Sequence, residues 1–302
     1  GYYLVNGKNL RVPFVEYFQM ERYEEIVENI GRNIDLDDKI YNEDKLLQAN
    51  EFHINSLIYE AEEYIISTIK KFEETYTPIV SFSGGKDSTV VSRLVRDAVQ
   101  KNDIMHIMAD TTLELPETYN YCDKIFRKEN IYTPLIDSKP ESDFFNLCNY
   151  LGPPSRFETW CCTIFKTSNM NYLVQFMPKG NGFLTFMGIR RSESNSRSKY
   201  SRTKMESKIS KQIVAMPIID WTDFDVWLYI RYKGLSFNDA YKMGYKRVGC
   251  WCCPHNSKWS DLLNAIYYPD LHLRWQKILY DFAEKTGKED IDDYAKNDKW
   301  KT

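Results

Sequence analysis

The stretch IVSFSGGKDST, residues 79–89, decides the fold. A short apolar run leads into two glycines, Gly84 and Gly85, and a polar sequence that can begin a helix follows at once. The glycines let the backbone turn tightly and point its N–H groups inward, while the helix N-terminus adds positive potential. The sequence therefore predicts an anion-binding loop between a strand and a helix. Its polar candidate ligands are Ser81, Ser83, Lys86, Asp87, Ser88 and Thr89.

The charged groups of this loop suit a pyrophosphate. Lys86 supplies positive charge, and the carboxylate of Asp87 can hold Mg²⁺ against phosphate oxygens. The spacing GxxxxGK[ST] of a Walker A loop is absent. The alternative is a plain strand-to-helix turn without a ligand.

Strand-like and helix-like segments alternate along the chain. Short apolar runs at 79–83, 104–109 and 131–136 are separated by helix-length segments at 86–100 and 116–130. Such alternation predicts βαβ units, and hence an α/β fold whose mostly parallel, twisted sheet carries helices on both faces. Two further strands are expected at 182–189 and 213–219, and a further helix at 222–234.

Helical extensions are expected at both ends of the chain. Residues 1–44 are expected to form a small hairpin around a type I′ turn at Asn6-Gly7, followed by a helical arm. This part is either a plain arm or the remnant of an upstream module. Residues 45–260 are expected to form the nucleotide-binding domain with its cysteines, and residues 261–302 a C-terminal helical extension.

Composition excludes several classes of protein. The 302 residues include 40 Lys and Arg against 43 Asp and Glu, so the net charge of −3 excludes a binder of nucleic acid held by charge alone. With 43% apolar residues the chain can fill a core, which excludes disorder throughout. Neither a long uncharged apolar run nor a signal-peptide layout is present, so we expect a cytoplasmic protein without membrane partners.

Three further segments resemble the phosphoadenylyl sulfate reductase family. They are DTTLELPET (110–118), GIRRSES (188–194) and the element PIIDWT (217–222) with the following Val226-Trp227. The loop itself resembles the SGGxDS loop of the PP-loop ATP pyrophosphatases, which cleave ATP between its α and β phosphates. The resemblance covers roughly residues 45–285.

This resemblance implies a PP-loop fold of the adenine nucleotide alpha hydrolase-like type, with ATP and Mg²⁺ as ligands. Catalytic roles are implied for Lys86, Asp87 and Arg190. Asp110 either contacts the ribose or metal or caps the next helix, and Arg190 and Arg191 can bind phosphate through two hydrogen bonds each. The implied nucleotide-binding set is Ser81, Ser83, Gly84, Gly85, Lys86, Asp87, Ser88, Thr89, Asp110 and Arg191. The basic segment 190–211 is either a solvated loop or a lid over phosphate.

The cysteines form a second candidate site. In a chain expected to be cytoplasmic, clustered cysteines favour metal or redox chemistry over disulfides. The adjacent pair Cys161-Cys162 with Cys250 and Cys253 resembles the 4Fe-4S ligand set of adenylyl sulfate reductases and of DNA phosphorothioation enzymes, and this implies four cluster ligands. A four-cysteine zinc site and unligated buried thiols are the alternatives. Cys252 departs from the pattern because it lies inside the CxxC.

Two departures from the reductases favour ATP cleavage. Family reductases use a cysteine in an ECGxH-like segment near the C-terminus, whereas the last 49 residues here contain no cysteine. Those reductases also tend to have an eroded phosphate loop, whereas this one keeps its polar groups. The chain thus most resembles the ATP pyrophosphatase of DNA phosphorothioation systems of the Dnd and Ssp type.

That resemblance implies a sequence of two steps. A DNA phosphate oxygen is adenylated with release of pyrophosphate, and sulfur from a cysteine desulfurase partner then displaces AMP. Other proteins of the modification system are implied partners, and a homodimer is compatible with the chain. The alternatives are a sulfonucleotide reductase of sulfate assimilation, a tRNA thiolation enzyme and a non-enzymatic nucleotide sensor.

Overall fold

The structure, a computed structural model, divides into two units, residues 1–49 and residues 50–302. The residues that it describes are 2–5, 8–11, 43–176, 181–205 and 208–302.

The first unit contains a small antiparallel hairpin. Strand β1 (Tyr2–Val5) pairs with β2 (Lys8–Arg11), and Val5 lies opposite Lys8. This is the expected pairing. The proposed type I′ turn at Asn6-Gly7 and the helical arm after it lie outside the described residues. Helix α1 (Glu43–Ala49) ends the unit.

The second unit is built on one six-stranded sheet. In chain order its strands are β3 (Tyr76–Ser81), β4 (Met105–Ala109), β5 (Leu135–Ser138), β6 (Gly182–Phe186), β7 (Thr203–Met205) and β8 (Gln212–Ala215). Across the sheet they lie in the order β5-β4-β3-β6-β8-β7. All neighbouring pairs are parallel except β7 with β8, which is antiparallel. Five strands lie where the apolar runs predict them, whereas β7 lies in the basic segment 190–211.

Helices connect these strands and extend the chain beyond them. Within the described residues, no helix combines the length and the apolar character needed to cross a membrane. Two stretches, Tyr121–Phe126 and Thr163–Thr167, are π-helical. The α-helices are α2 (Glu51–Phe72), α3 (Lys86–Val99), α4 (Pro116–Asn120), α5 (Arg127–Glu129), α6 (Phe144–Leu151), α7 (Trp160–Cys162), α8 (Ser168–Val174), α9 (Asp223–Tyr232), α10 (Lys258–Tyr267), α11 (Pro269–Lys285) and α12 (Ile291–Lys296).

The sheet is covered on both faces because successive strand residues point to opposite sides. Ile79, Ile107 and Phe183 pack in one cluster with Met170 and Val174 of α8. A second cluster consists of Phe82, Met108, Tyr121, Cys122, Phe126 and Leu135. The predicted α/β class with a mostly parallel sheet is therefore confirmed.

The C-terminal helices share a core with the cysteine region. Trp275 and Leu279 of α11 and the later Trp300 are buried in the cluster that also holds Phe144 and Trp251. The segment after residue 260 is therefore packed against the preceding part of the same unit.

His106 in β4 provides a test of this core. Its ring is fully buried, its Nδ1–H donates to the carbonyl of Ile104 (2.7 Å), and its Nε2 lies 2.8 Å from the hydroxyl of Ser92. The carbonyl can only accept, so Nδ1 carries the proton, and because burial favours the neutral ring, Nε2 accepts from the Ser92 hydroxyl. Burial lowers the pKa of His106 from 6.5 to about 4.

We predict that stability falls as the pH drops from 6.5 towards 4, because the unfolded chain binds a proton that buried His106 does not. The loss attributable to this group is roughly 3 kcal/mol at most. Urea unfolding across this pH range measures it, with His106→Gln as the control. Equal pH slopes for the two proteins would show that His106 carries no such dependence.

Candidate active site

The predicted anion-binding loop follows β3 directly, and its shape depends on Gly84. Gly84 has φ +67°, and a Cβ there would lie 2.9 Å from both the Cys122 Sγ and the Thr118 Cγ2. Any other residue would therefore suffer both backbone strain and a clash. Gly85 is the N-cap of α3, so the helix N-terminus faces the turn.

Hydroxyl groups fix this loop from within. Ser88 Oγ and Thr89 Oγ1 donate to the carbonyl of Gly85 over 2.9 and 3.0 Å. The backbone N–H of Ser83 donates to Ser88 Oγ over 3.2 Å. Ser88 and Thr89 are buried and hold the turn, whereas Ser83 is exposed. Ser81 is the last residue of β3, opposite Ile107.

A distant segment, residues 236–248, closes over the loop. Tyr241 OH accepts from the backbone N–H of Lys86 (2.9 Å), and Asn238 Nδ2 donates to the carbonyl of Gly84 (3.2 Å). A Cβ on Gly85 would lie 3.3 Å from Val248 Cγ2. Tyr241 and Asn238 were not predicted from the sequence, because a partner more than 150 residues away leaves no periodic or motif signal.

Two buried cations meet two carboxylates at the start of α3. Lys86 Nζ lies 3.0 Å from Asp87 Oδ2 and 3.1 Å from Asp223 Oδ1. Arg190 Nε lies 2.7 Å from Asp87 Oδ1, and its Nη2 lies 3.1 Å from Asp223 Oδ1. The structure thus brings together the three residues predicted to be catalytic, and adds Asp223, which was not predicted.

The predicted role of Asp87 as a Mg²⁺ ligand meets a competing set of contacts. Its two carboxylate oxygens each accept from a cation, Lys86 or Arg190. Coordination of a metal ion by Asp87 requires one of these ion pairs to open, so this role stays a prediction.

Asp110 and Arg191 have partners of their own. Asp110 Oδ1 accepts from the backbone N–H of Thr112 (2.8 Å) and from Tyr119 OH (2.7 Å), which stabilises the turn after β4 where Thr112 has φ 64°. Arg191 donates to the carbonyl of Tyr200 and pairs with Asp220. Both contact sets are structural, and the predicted nucleotide contacts of Asp110 and Arg191 remain untested predictions.

The basic segment 190–211, in which residues 206 and 207 are not described, is tied down by acidic residues. Arg197 pairs with Glu193 and Arg202 pairs with Glu60. The guanidinium of Arg202 also stacks on Tyr64, 3.9 Å from the ring centre. These contacts, together with strand β7, favour a folded segment over a free solvated loop.

The thiol pocket, consisting of Cys161, Cys162, Cys250 and Cys253, adjoins the turn after β4. Glu114 forms a backbone bridge with Cys250, and the backbone N–H of Trp251 donates to Leu113 over 2.9 Å. Thr111 Oγ1 lies 3.2 Å from Cys250 Sγ and donates to Glu114 over 3.0 Å. The reductase-like segment 110–118 therefore positions the CxxC directly.

Electrostatics distinguishes the thiols from one another. A hydrogen bond from Cys161 lowers the pKa of Cys162 to about 6 against the opposing effect of burial. The positive charges of Lys166, Lys208 and Arg247 act in the same direction. By contrast, burial raises the pKa of Cys250 to about 12. Cys162 is the thiol most readily ionised in this pocket.

The four thiols are chemically suited to iron or zinc, but they are not arranged as a ligand set. Cys250 and Cys253 lie near enough to Cys161 to raise its pKa, after the larger effects of Cys162 and burial. Nevertheless, within the part of the chain that the structure describes, no three or more His, Cys, Asp or Glu side chains are placed to hold a metal ion. The 4Fe-4S cluster and the alternative zinc site remain predictions. Cys122, Cys148 and Cys252 are buried.

With this geometry established, comparison with known proteins identifies the family. A family model described as the phosphoadenosine phosphosulfate reductase domain matches residues 77–256, more than half of the chain. The chain belongs to the phosphoadenosine phosphosulfate reductase domain family. The match includes the loop, the cations and the thiol pocket.

Two relatives illustrate the proteins to which this chain is similar. An uncharacterized protein of Methanocaldococcus jannaschii is 32% identical over 244 residues, covering 80% of this chain and 49% of its own. The adenosine 5′-phosphosulfate reductase of Staphylococcus epidermidis is 26% identical over 210 residues, covering 68% of this chain and 80% of its own. The chain spans about half the length of the first of these relatives.

A solved structure confirms the kind of fold. FMN adenylyltransferase of Candida glabrata, in complex with FAD and inorganic pyrophosphate, superposes with a TM-score of 0.51 at 14% identity. The superposition covers 66% of this chain and 62% of that one. At this identity the similarity establishes the fold of the reductase domain and nothing further.

Gly188 allows a close approach that the cluster of Lys86, Asp87 and Arg190 requires. A Cβ on Gly188 would lie 2.7 Å from the carbonyl carbon and 2.8 Å from the carbonyl oxygen of Asp87. We predict that Gly188→Ala lowers the free energy of unfolding by about 1–3 kcal/mol, because backbone atoms cannot move aside as a side chain can.

The matched control is Gly249→Ala, whose Cβ would meet nothing within 4 Å. Urea unfolding of both variants provides the comparison. An unfolding midpoint for Gly188→Ala equal to that of the control would contradict the prediction.

Proposed function

We propose that this chain is an enzyme that binds an adenine nucleotide at the loop and cleaves a bond to its adenylyl group in the service of sulfur chemistry. The observation that carries the proposal is the convergence of buried Lys86 and Arg190 on the glycine turn at the N-terminus of α3. In open parallel sheets, ligands bind outside the carboxyl ends of the strands, which is where these groups lie. Positive groups fixed there stabilise charge that develops on phosphate during transfer.

Two features of the sequence support ATP cleavage as the first candidate reaction, namely the polar residues that the loop retains and the absence of a cysteine from the last 49 residues. An acceptor oxygen attacks the α-phosphorus, the bond from that phosphorus to the bridging oxygen breaks, and pyrophosphate leaves with the electron pair. Lys86 and Arg190 would stabilise the negative charge on the phosphoryl oxygens. A sulfur nucleophile then displaces AMP from the acceptor. Exposed Ser83 supplies a hydroxyl beside the turn for orienting phosphate.

The relatives favour a second candidate, a sulfonucleotide reductase. Its support is the family model over residues 77–256 and the similarity to the adenosine 5′-phosphosulfate reductase of Staphylococcus epidermidis. In that reaction a thiol attacks the sulfate sulfur, the sulfur–oxygen bond to AMP breaks, and AMP leaves. The same cations would stabilise the departing phosphate.

The identity of the acceptor is the least supported part of the first candidate. DNA phosphorothioation, with a cysteine desulfurase as the sulfur donor, rests on sequence resemblance alone, as does tRNA thiolation. The net charge of −3 adds no support for a nucleic-acid substrate. DNA, tRNA and a sulfur donor are therefore components to be added to the assay.

The first experiment separates the two reactions by their products. The anaerobically purified protein is incubated with α-labelled ATP and Mg²⁺, and separately with adenylyl sulfate or its 3′-phosphorylated form and a thiol reductant. AMP with pyrophosphate identifies ATP cleavage. Sulfite identifies the reductase, together with AMP from adenylyl sulfate or adenosine 3′,5′-bisphosphate from its 3′-phosphorylated form. Nucleotide binding without either product would favour the sensor and contradict the proposal.

In whichever assay is active, we predict that Arg190→Lys lowers kcat/KM by roughly 10²–10³-fold, because an ammonium cannot reproduce the forked contacts of a guanidinium. Arg127→Ala is the control, since Arg127 pairs with Asp123 and Asp137 away from the loop. Ser83→Ala and Asp87→Ala extend the test to the loop itself. Wild-type activity in Arg190→Lys would remove Arg190 from the catalytic set.

The predicted cluster has a separate test. If the four cysteines form the ligand set that the sequence resemblance implies, the anaerobically reconstituted protein binds iron and sulfide, and Cys161→Ser and Cys253→Ser each lose the bound iron while Cys122→Ala retains it. Iron, sulfide and zinc per chain, together with the visible absorption spectrum, are measured. Zinc in place of iron, with the same dependence on Cys161 and Cys253, would establish the zinc alternative. Retention of neither metal by the wild type would show the four-cysteine prediction to be wrong.

A further inference from the structure

The carboxylate of Asp223 lies on the solvent side of the two buried cations. Its Oδ1 is 3.1 Å from Lys86 Nζ and 3.1 Å from Arg190 Nη2. The side chain of Asp223 is 65% exposed, whereas those of Lys86 and Arg190 are 6% and 5% exposed. Asp223 therefore covers the outer side of a pair of cations that are otherwise buried.

Asp87 and Asp223 neutralise the same two cations in different ways. Asp87 is 17% exposed and gives a separate oxygen to each cation, whereas Asp223 shares a single oxygen between them. With both carboxylates present the local charge sums to zero, and without Asp223 it is +1. Exposed ion pairs contribute little to stability, so Asp223 is the member of this cluster that leaves most easily.

The backbone holds Asp223 in place while its side chain remains accessible. Asp223 is the first residue of α9. The capping box of this helix is formed by its neighbours Thr222 and Asp225. His53 Nε2 lies 2.7 Å from Asp225 Oδ1 and further secures this helix start. The helix end therefore does not depend on the carboxylate of Asp223.

We propose that Asp223 is a built-in competitor for the nucleotide phosphate, which must displace it from Lys86 and Arg190 in order to bind. In the free enzyme Asp223 keeps both cations paired and aligned. On binding, phosphate oxygens replace its carboxylate oxygen on Lys86 Nζ and Arg190 Nη2, and the side chain turns to solvent. This inference rests on the proposed function, because it takes the two cations as the phosphate site.

The test is nucleotide binding by Asp223→Asn, which removes the charge and keeps the shape. The dissociation constants of ATP and of inorganic pyrophosphate are measured by calorimetry, in EDTA and again with Mg²⁺. Removal of the competitor is expected to tighten binding roughly three- to fivefold. This factor corresponds to the upper part of the range of free energies measured for exposed ion pairs. The factor should be the same for both ligands, because each displaces the same carboxylate. Asp223→Ala should change binding in the same direction.

Asp292→Asn is the matched control. Asp292 is 69% exposed and pairs with Lys296 of the same C-terminal helix rather than with the loop cations or with any predicted nucleotide ligand. It is expected to change binding less than twofold, which separates competition at the site from a general change in net charge. Equal effects of the two substitutions would overturn the inference.

The remaining outcomes also decide the matter. Unchanged or weaker binding by Asp223→Asn in EDTA would overturn the inference while leaving the proposed function intact, provided that the wild type binds. Weaker binding only in the presence of Mg²⁺ would make Asp223 a metal ligand and would likewise overturn it. Absence of ATP and pyrophosphate binding in both proteins would overturn the inference and the proposed function together.

Discussion

Lys86 and Arg190 are buried, and a buried cation is tolerated only beside an anion that compensates for its lost hydration. Asp87 supplies that anion between them, so its position constrains the parts of the fold that meet there. Gly188 lacks a side chain where the chain after β6 approaches the backbone of Asp87. The same requirement makes the site receptive to phosphate, because a phosphate oxygen is the natural replacement for a carboxylate on a lysine or an arginine.

The loop and the thiol pocket are two ends of one connected region. The segment that begins at Asn238 contacts the phosphate loop through Tyr241 and Val248. It then reaches Cys250, whose backbone pairs with Glu114 in the turn after β4. Displacement of this segment would therefore move both the loop and the CxxC. The proposed phosphate site and the thiol pocket are thus linked through one continuous segment of the chain.

The sequence predicted the parts of this protein whose signal is local. Apolar runs marked five of the six strands of the second unit, and the glycine turn marked the loop, because strand burial and positive φ each restrict residue choice at one position. Strand β7 was missed because a three-residue edge strand in a basic segment has no apolar alternation. The clustering of Lys86, Asp87 and Arg190 followed from the family resemblance rather than from spacing.

The rest of the site depends on contacts between distant residues. Asp223 lies between the segment 217–222 and Val226-Trp227, outside the residues that carry the resemblance, and only the packing of α9 brings it to Lys86 and Arg190. Asn238 and Tyr241 precede the CxxC in a stretch with no distinctive composition, yet they hold the carbonyl of Gly84 and the N–H of Lys86. A motif therefore indicates which groups meet the substrate, whereas the neighbours that orient those groups emerge only from the folded chain.

The two candidate reactions share one chemical step, which explains how a single site can resemble both. In the reductase, a thiol attacks sulfur and AMP departs; in the ATP-cleaving enzyme, a sulfur nucleophile attacks the adenylated acceptor and AMP departs. Each departure leaves negative charge on the AMP phosphate, within the field of Lys86 and Arg190. The reactions differ in the atom that is attacked and in the earlier step, in which ATP must also release pyrophosphate. A fixed pair of cations beside a pocket of thiols therefore meets the common requirement, and the choice between the reactions lies in what else the loop must bind.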